Sequence, residues 1–400
     1  MHLPVSRSPA RSLVAAGPSP GLPTPTEPAR AVRVLVAAAR FSPDLGGTET
    51  HIYEVTKRMA KRGDLDLTIL TTDRSGARPV REKIDGFTVL RCRAYPRNRD
   101  YYVAPAVYSQ IINGRFDLLH CQGIHTAVPI FAMLAARRKR VPYIVSLHTG
   151  GHSSDFRHRL RNWQWRALTP LLSQAQIIVA VSRFEQQLFE QVCSLNAERF
   201  QIVPNGGDLP DLRTPVQPKP GQIVSCGRLE RYKGHQRVIE ALPIVQQLVP
   251  EATLRILGSG PYESDLRSLI VRLGLEGSVT IDYIAPDDRE HMSESLSRAA
   301  VVAALSVYES YPLAIAEALA LGIPALGLDT AGMGDLIADG LVTGVPTEAS
   351  PAVVAQALVT AMQGQRTNMS ADLPSWDDAA ARLAQIYLTT ASSAARSPRP

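Results

Sequence analysis

Short runs of Val, Ile and Leu alternate with helical stretches along most of this 400-residue chain. The runs occupy residues 32–38, 67–71, 88–91, 118–122, 143–147, 177–181 and 201–203, and then residues 223–226, 254–257, 279–283, 301–307 and 324–328. They are continuous rather than interleaved with polar residues, which is typical of parallel strands that helices cover on both faces. The alternation of strand and helix therefore predicts an α/β fold of the doubly wound type.

A segment rich in proline and glycine, residues 205–221, divides this pattern into two series. A chain of 400 residues is also long for a single core. We therefore predict two Rossmann-like domains, at residues 31–204 and 222–374, with a cleft between their strand ends. A last helix is predicted over residues 375–390, and residues 1–30 and 391–400 are predicted to be disordered tails because they lack an apolar pattern.

Composition argues against several classes of protein. Four isolated cysteines form no Cys-x-x-Cys pair, so neither a zinc site nor a disulfide framework is indicated. No apolar run approaches the roughly 18 residues of a membrane span and no signal-peptide core precedes the first strand, so we expect a cytoplasmic protein. The net charge of +6 comes without a recognisable nucleic-acid module, which argues against a nucleic-acid partner.

The segment at residues 308–322 carries the strongest functional signal. Residues 313–321 are Ala, Leu and Ile apart from Glu317, so a helix there is apolar all round and holds a carboxylate that needs a partner. Glu309 lies eight residues earlier, between a strand and this helix. A helix start offers free N–H groups to an anion, and two carboxylates beside it suit a phosphorylated ligand that also carries hydroxyls. The alternative is a Glu at a helix start and a second Glu paired with a buried Arg.

A second loop, at residues 227–234, follows the strand at 223–226. Gly227 and Gly234 permit the backbone to approach a ligand closely. Arg228 offers a planar fork for phosphate oxygens, and Lys233 offers a mobile point charge. Together they are suited to neutralising a diphosphate leaving group. The alternative is a basic surface loop that begins a helix.

The first domain supplies weaker candidates. Gly46 and Gly47 form a turn that opens a helix, but they lack the Gly-x-Gly-x-x-Gly spacing of a dinucleotide loop, so an NAD enzyme is disfavoured. His148 follows a predicted strand and should reach the cleft, whereas His120 and His51 are interpreted as structural. No Asp-x-Asp pair stands at a strand end, so we predict neither a metal ion nor a bound cofactor.

In combination these motifs resemble the family 4 glycosyltransferases of GT-B architecture. The matching features are Glu309-x7-Glu317, Gly227-Arg228-Leu229 with Lys233-Gly234, Gly46-Gly47 with Glu49, Ser146-Leu147-His148-Thr149, Val181-Ser182 and Pro204-Asn205-Gly206. The resemblance covers residues 32–387 and implies that the last helix crosses back to the first domain. It implies a retaining, metal-independent enzyme that moves a hexosyl or N-acetylhexosaminyl group from a UDP- or GDP-sugar to a hydroxyl of a glycan, lipid-linked or small-molecule acceptor.

The same resemblance implies a role for each matching residue. Arg228 and Lys233 would bind the diphosphate, Glu309 the hydroxyls of the sugar, and Glu317 the ribose of the nucleoside, while His148 completes the catalytic set. The implied donor-binding residues are Gly46, Gly47, Asn205, Ser310, Tyr311, Pro312, Leu313 and Glu317. No enzymic nucleophile is implied, because the leaving phosphate itself takes the acceptor's proton on the same face of the sugar.

Two positions depart from the family pattern. Gln122 stands where many relatives carry a second histidine, and Gly334-Asp335 replace the usual Pro-Glu. We expect the second departure to alter contacts near the base or the sugar. Two other interpretations remain from the sequence. One is a sugar-nucleotide epimerase of the same fold. The other is an inactive relative that serves as a scaffold, and the buried charges of the motifs argue against it because a scaffold needs none of them.

A basic helix is predicted at residues 155–171. Phe156, Leu160, Trp163 and Ala167 share one face, and the arginines lie mostly elsewhere. This pattern is typical of a helix that packs its apolar side chains into the core of the first domain, and we favour that interpretation. The alternative is a peripheral contact with an anionic membrane at its inner face, near a lipid-linked acceptor.

Overall fold

The chain folds into two α/β domains, each organised by one sheet. The computed structural model describes residues 30–44, 46–97, 102–149, 155–212, 214–285, 287–364 and 373–396, with the backbone alone for residues 155–160. One sheet has eight strands and the other has six. The doubly wound α/β class predicted from the continuous apolar runs is confirmed.

The first domain is built on the eight-stranded sheet. Its strands are β1 (Val32–Ala38), β2 (Leu65–Asp73), β3 (Arg81–Ile84), β4 (Phe87–Arg93), β5 (Leu118–Gln122), β6 (Tyr143–Ser146), β7 (Ile178–Ala180) and β8 (Phe200–Ile202). Its helices are α1 (Gly47–Met59), α2 (Ala106–Asn113), α3 (Ala127–Lys139), α4 (Asp155–Leu172) and α5 (Arg183–Cys193). The order is β3-β4-β2-β1-β5-β6-β7-β8, so the direction of winding reverses between β1 and β5. In open α/β sheets the ligand crevice forms at such a switch point, beyond the carboxyl ends of the strands.

The second domain is built on six parallel strands. They are β9 (Gln222–Cys226), β10 (Thr253–Leu257), β11 (Val279–Asp282), β12 (Val301–Ala304), β13 (Ala325–Leu328) and β14 (Thr343–Val345). Its helices are α6 (His235–Leu248), α7 (Glu263–Arg272), α8 (Arg289–Ser297), α9 (Leu313–Ala320), α10 (Ala331–Ala338) and α11 (Pro351–Met362). The order is β11-β10-β9-β12-β13-β14, which puts the switch point between β9 and β12. The loops that follow these two strands therefore share one crevice.

The last helix, α12 (Trp376–Arg396), belongs to the core of the first domain. Trp376, Leu383 and Tyr387 are buried in one cluster with Val34 and Ile52. This burial joins the end of the chain to its beginning. The helix runs to Arg396, so the tail predicted from residue 391 is wrong over residues 391–396, where alanines continue the helix. The tails predicted at 1–29 and 397–400 lie outside the described residues.

The structure adds two strands that the sequence does not predict and shortens a third that it does. Edge strand β3 pairs antiparallel with β4 and alternates exposed with half-buried residues, so it lacks a continuous apolar run. Strand β14 is three residues long and includes Gly344, which hides it in the sequence. The apolar run at 301–307 is not all strand, because β12 ends at Ala304 and Leu305-Ser306-Val307 continue as the loop that leads to the carboxylate at 309.

Helix α4 does not pack as its apolar stripe predicts. Trp163 is 72% exposed, although its place in the stripe predicts a core contact. Trp165 and Leu168 are buried instead, because their spacing of three residues places them together on the inward face. The side chains of Phe156 and Leu160 lie outside the described residues. Over the described part of the chain, none of the helices combines the length and the apolar character needed to cross a bilayer.

Candidate active site

The loops at the two switch points face each other across the cleft between the domains. Burial raises the pKa of Glu49, near the start of α1, and the charge of Arg228, in the loop after β9, is close enough to oppose that rise. Tyr308, after β12, packs edge-on against Phe184 at the start of α5, with ring centroids 5.9 Å apart. The strand ends of both domains therefore contribute to one site.

Lys233 and Glu309 form the charged centre of the second-domain side. Lys233 Nζ donates to Glu309 Oε1 at 2.5 Å, and Ser306 Oγ donates to the same oxygen at 2.8 Å. Burial is the largest influence on the pKa of Lys233 and lowers it, but the charge of Glu309, the charge of Tyr232 and the hydrogen bond to Glu309 together outweigh burial, so the net shift is upward. Lys233 is therefore a fixed cation in a mostly buried place, where a charge acts more strongly than it does in water.

Gly234 fixes the turn that presents Lys233. Its φ is 79°, and a Cβ at this position would lie 2.0 Å from the carbonyl oxygen of Leu305. Glycine alone fits both the left-handed conformation and this close approach. Because α6 begins at the next residue, His235, the lysine stands beside a helix N-terminus, which itself attracts anions.

Arg228 is the more exposed cation of this side. Its side chain is 54% exposed and pairs with Glu230 at 3.0 Å. It also donates to the hydroxyl of Tyr232 at 3.0 Å. These contacts hold the guanidinium in the loop and leave part of its planar fork for a ligand. The sequence prediction that Arg228 and Lys233 lie in one loop at the cleft is thus met by the geometry, while their binding of a diphosphate stays a prediction.

Glu317 is buried in α9 and forms an ion pair. Its Oε1 contacts a guanidinium nitrogen of Arg289, the first residue of α8. The side chain of Glu317 is 5% exposed and that of Arg289 is 21% exposed, so both charges are largely removed from water. The alternative drawn from the sequence, a Glu paired with a buried Arg, therefore describes the contact seen here. The contact of Glu317 with a ribose stays a prediction.

The residues that lead into α9 lie beside Glu309. The amide of Gly332 donates to the carbonyl oxygen of Glu309 at 2.8 Å, which ties α10 to this loop. A Cβ on Gly332 would lie 2.1 Å from the carbonyl oxygen of Ser310, so the two segments touch. The first N–H groups of a helix have no intrahelical partner and are available to a ligand. This arrangement holds the predicted donor-binding residues next to the charged centre. They are Ser310, Tyr311, Pro312 and Leu313.

His148 is buried on the first-domain side. The sequence predicts that it reaches the cleft, but the structure leaves only 5% of it exposed and directs its Nε2 to Gln122 Oε1, 2.7 Å away. Its φ of 42° turns the backbone sharply after β6. His120 is buried within β5, as predicted, between the hydroxyls of Tyr387 and Ser146.

Burial keeps the histidines of this side neutral. It lowers the pKa of His51 to about 4 and that of His120 to about 3. Burial also lowers the pKa of His148 well below its usual value, and the neighbouring rings of His51 and His120 lower it further. Removing a group from water disfavours its charged form. The first domain therefore offers neutral hydrogen-bonding groups where the second domain offers charges.

Gly46 and Gly47 open α1 beneath a carboxylate. A Cβ on Gly46 would lie 2.4 Å from Glu49 Oε2, so this side chain folds back over the turn. Burial raises the pKa of Glu49, while Arg40 and Arg228 oppose the rise. A carboxylate in this position repels phosphate and accepts hydrogen bonds from hydroxyls. The loop is therefore better suited to a sugar than to a phosphate.

Asn205 lies between the first domain and the start of α12. It is 5% exposed, and its Oδ1 and both ring nitrogens of His51 are buried without a hydrogen-bond partner within the described ranges. A Cβ on Gly206 would lie 2.2 Å from the backbone nitrogen of Trp376, which shows how closely the two segments pass. The donor-binding role of Asn205 stays a prediction.

Asp335 joins the second domain to the first. Its Oδ2 accepts the backbone N–H of Phe184 at 3.0 Å, at the open start of α5. Its carbonyl oxygen accepts a hydrogen bond from Arg183 at 3.0 Å, and Arg183 also pairs with Asp339 at 2.9 Å. The sequence predicts that the Gly334-Asp335 departure changes contacts near the base or the sugar. The structure shows this carboxylate in contact with the start of α5 in the other domain, and its effect on contacts near the base or the sugar stays a prediction.

Three polar residues of the site carry no functional motif that we recognised in the sequence. Glu185 is fully buried and accepts hydrogen bonds from both the backbone nitrogen and the hydroxyl of Thr149, each at 2.8 Å. A signal for it was available, because Ser182-x-x-Glu185 is a capping-box pattern and Ser182 Oγ accepts from the Glu185 nitrogen at 3.1 Å. Arg289 and Ser306 have no comparable signal. Among the residues that the structure describes, no three His, Cys, Asp or Glu side chains are grouped to hold a metal ion.

Comparison with protein families matches both domains. Residues 45–210 match the model of Glycosyltransferase Family 4. Residues 213–373 match the model of Glycosyl transferases group 1. Together the two matches include the first domain from helix α1 onward and nearly all of the second domain.

Similar proteins extend over most of the chain. It is 27% identical over 300 residues to the GDP-mannose:cellobiosyl-diphosphopolyprenol alpha-mannosyltransferase of Komagataeibacter xylinus, which covers 73% of this chain and 74% of that protein. It is 24% identical over 389 residues to the phosphatidyl-myo-inositol mannosyltransferase of Mycobacterium leprae, which covers 88% of this chain and 95% of that protein. Its fold is similar to that of Anabaena HepE in complex with UDP and glucose, with a TM-score of 0.62, 18% identity, and coverage of 91% of this chain and 98% of that one.

Proposed function

The chain belongs to the family 4 glycosyltransferases, and from this premise we propose that it moves a hexosyl or N-acetylhexosaminyl group from a UDP- or GDP-sugar to a hydroxyl, with retention and without a metal. The prediction of a glycosyltransferase is confirmed over the epimerase and the scaffold. The observation that carries the finer proposal is the Lys233–Glu309 pair, 2.5 Å apart where the ends of β9 and β12 meet. A diphosphate needs a fixed cation, and a carboxylate accepts hydrogen bonds from sugar hydroxyls.

In the proposed reaction the bond between the anomeric carbon and the diphosphate oxygen breaks. The acceptor oxygen forms its bond to the same carbon, on the same face of the sugar. The departing diphosphate takes the proton of the acceptor hydroxyl, so no enzymic nucleophile takes part. Lys233 and Arg228 stabilise the charge that develops on the leaving oxygen. Glu309, held by Lys233 and Ser306, orients the sugar through its hydroxyls.

Two measurements on the full chain test this proposal. Titration calorimetry with UDP and with GDP should show binding of at least one of them. A donor-by-acceptor screen read by mass spectrometry should then give a glycosylated product, whose anomeric configuration by NMR matches that of the donor. Activity should persist in EDTA, because the lysine and arginine take the place of a metal. Inverted product would refute retention, and activity that EDTA abolishes and Mg²⁺ restores would refute the metal-free reaction.

Our proposal includes a lipid-linked acceptor reached by peripheral contact of α4 with the cytoplasmic face of a membrane. Trp163 is 72% exposed on this helix, and Arg166 is exposed one turn further on. An exposed tryptophan beside basic residues suits the interface of an anionic bilayer. The names of two relatives specify a diphosphopolyprenol and a phosphatidyl-myo-inositol, which supports an acceptor of this class.

Co-sedimentation with anionic phosphatidylglycerol vesicles tests the membrane contact. The chain should pellet with vesicles at low salt and less so at high salt, since surface electrostatics are screened. Trp163→Ala should weaken the binding several-fold. The control is Tyr283→Ala, which removes a 56% exposed aromatic ring from the second domain. Absence of binding at low salt, or equal loss with both variants, would remove α4 as the contact.

A further inference from the structure

A line of polar side chains crosses one face of the first sheet. His120 and Gln122 alternate along β5, and Gln122 is paired in register with Ser146 of β6, two residues before His148. Residues two apart on a strand point to the same face. Their contacts confirm the shared face, because His120 Nε2 lies 2.8 Å from Ser146 Oγ, and Tyr387 of α12 reaches His120 Nδ1 at 2.6 Å.

Gln122 joins this line to His148. Its Oε1 lies 2.7 Å from His148 Nε2. Its Nε2 lies 3.3 Å and 3.4 Å from the two ring nitrogens of His120. The amide is therefore oriented with its nitrogen towards β5 and its oxygen towards His148. All three side chains are buried, with at most 5% exposure, so water does not compete for these contacts.

The chemistry of an amide oxygen determines where His148 carries its proton. A carboxamide oxygen accepts hydrogen bonds and donates none. His148 Nε2 must therefore be the protonated nitrogen of the ring. In a neutral imidazole the other nitrogen, Nδ1, is then an acceptor. Burial lowers the pKa of His148 well below its usual value, which agrees with a neutral ring.

We propose that Gln122 is a positioning residue that fixes His148 in the Nε2–H tautomer and leaves Nδ1 as the ring nitrogen available to a substrate. A histidine at position 122 could present either a donor or an acceptor and could itself take up a proton. The amide of glutamine does neither. Position 122 therefore makes the proton arrangement of His148 independent of pH in this chain. The tautomer itself does not depend on the proposed function. Only the identity of the substrate group that binds Nδ1 rests on that function.

Other titratable groups also surround His148, and any pH dependence must be weighed against them. On α1, the ring of His51 lies 4.8 Å away between centroids. His120 and His125 are close enough for their charges to lower the pKa of His148. From α5, the buried Glu185 binds Thr149, the residue that follows His148. Among the described residues, the hydrogen bond at His148 Nε2 is the one to Gln122, and we therefore assign the tautomer to that contact.

The tautomer is measured directly by long-range proton–nitrogen NMR spectra of the full chain labelled with ¹⁵N-histidine. The signal of His148 is assigned by its loss in His148→Gln. In the wild type we expect the Nε2–H tautomer, unchanged from pH 6 to pH 8. An Nδ1–H tautomer, or an imidazolium at pH 7, would overturn the proposal. This measurement needs no donor, so it stands even if the proposed reaction fails.

Substitution at position 122 gives the second arm of the test. In Gln122→Glu a carboxylate should accept from Nε2 and favour the charged ring, raising the titration midpoint of His148 by about one pH unit or more. The matched control is Gln110→Glu, the same change on the exposed face of α2, which should leave the His148 signals unmoved. Equal spectra for wild type and Gln122→Glu would also overturn the proposal. If the glutamate variant does not fold, Gln122→Asn should show a mixture of both tautomers, and a retained single tautomer would count against the proposal.

Discussion

The two sides of the cleft differ in the charge of their buried side chains. The second domain carries two ion pairs that are largely shielded from water, Lys233–Glu309 and Arg289–Glu317. The first domain carries three buried histidines whose pKa values burial lowers, and they take part in hydrogen bonds and ring contacts rather than ion pairs. Cations paired with carboxylates lie on one side, whereas the buried imidazoles of the other side are neutral and Glu49 adds a carboxylate there.

This difference matches the two substrates of the proposed reaction. A diphosphate carries charge that must be met by cations already in place, because reorganisation during the reaction is costly. An acceptor hydroxyl is neutral. The side chains that hydrogen-bond it should not bind the diphosphate instead of the hydroxyl. A cationic histidine on the first-domain side would attract phosphate. Neutral histidines therefore do not compete with Lys233 and Arg228 for the diphosphate, and each of the following predictions tests this difference between the two sides.

The largest expected effect concerns the buried pair in α9. Glu317→Ala leaves Arg289 buried without its partner, which should lower the free energy of unfolding by about 3 kcal/mol and weaken nucleotide binding. The measurement is urea denaturation, with calorimetry for the nucleotide. The control is Glu263→Ala, which breaks the exposed pair with Arg267 and should cost less than about 0.5 kcal/mol. Equal costs would show that burial of the charges does not matter here.

The second effect concerns the cation beside the leaving group. Lys233→Ala should lower kcat by about 100-fold or more, because it removes a preorganised stabiliser of developing charge. Initial rates at saturating donor measure the change. The exposed Lys61, on the first domain, gives the matched control in Lys61→Ala, which should keep its full rate. A decrease in kcat of less than tenfold for Lys233→Ala would contradict the role of this lysine in stabilising the leaving group.

The third effect is a pH dependence from the neutral side. Burial lowers the folded-state pKa of His120 to about 3, below that of an unfolded histidine. The unfolded chain therefore takes up this proton first, so stability is full above about pH 6.5 and falls as the pH drops below it, by up to about 1.4 kcal/mol per pH unit.

His120→Gln should reduce that slope by the same amount, measured by urea denaturation between pH 7.5 and pH 5. Gln110→Asn, at an exposed position in α2, serves as the control and should leave the slope unchanged because it removes no titratable group. A slope that is identical in wild type and His120→Gln would show that the neutral side does not titrate on unfolding.

The smallest effect concerns the contact that holds the two sides together. Asp335→Ala removes the acceptor at the start of α5 and should cost about 1 kcal/mol, the usual value of a lost helix cap. Asp339→Ala removes only an exposed pair with Arg183 and should cost less than about 0.5 kcal/mol. Both are read from urea denaturation. If the two variants lose the same free energy of unfolding, the hydrogen bond from Phe184 to Asp335 does not stabilise the contact between the domains.

Local pattern predicted more of the charged side than of the neutral one. Glu309, Glu317 and Lys233 stand in short motifs beside strand ends, and the doubly wound topology places such loops together. Their partners Arg289 and Ser306 were not predicted, because a partner depends on how distant segments meet. The contact of Gln122 with His148 was likewise hidden, since it depends on where the turn after the neighbouring strand β6 places the histidine ring.

The face that helix α4 turns towards the core could not be predicted from the sequence either. On α4, two apolar stripes overlap, and only the tertiary contact shows that Trp165 faces the core while Trp163 faces outward. The alternating, half-exposed residues of β3 gave no apolar run, because an edge strand needs none. Continuous apolar runs predict the centre of a sheet well and its edges poorly.

Helix α12 has a consequence for how the chain is made on the ribosome. Trp376, Leu383 and Tyr387 fill part of the core beneath β1 and β5, yet they are synthesised after the whole second domain. The first domain thus emerges first but lacks part of its core until α12 has been synthesised, after the second domain. The main core of the second domain draws only on its own strands and helices, so it is able to close earlier. We therefore expect the second domain to complete its core before the first domain does, although it is synthesised later.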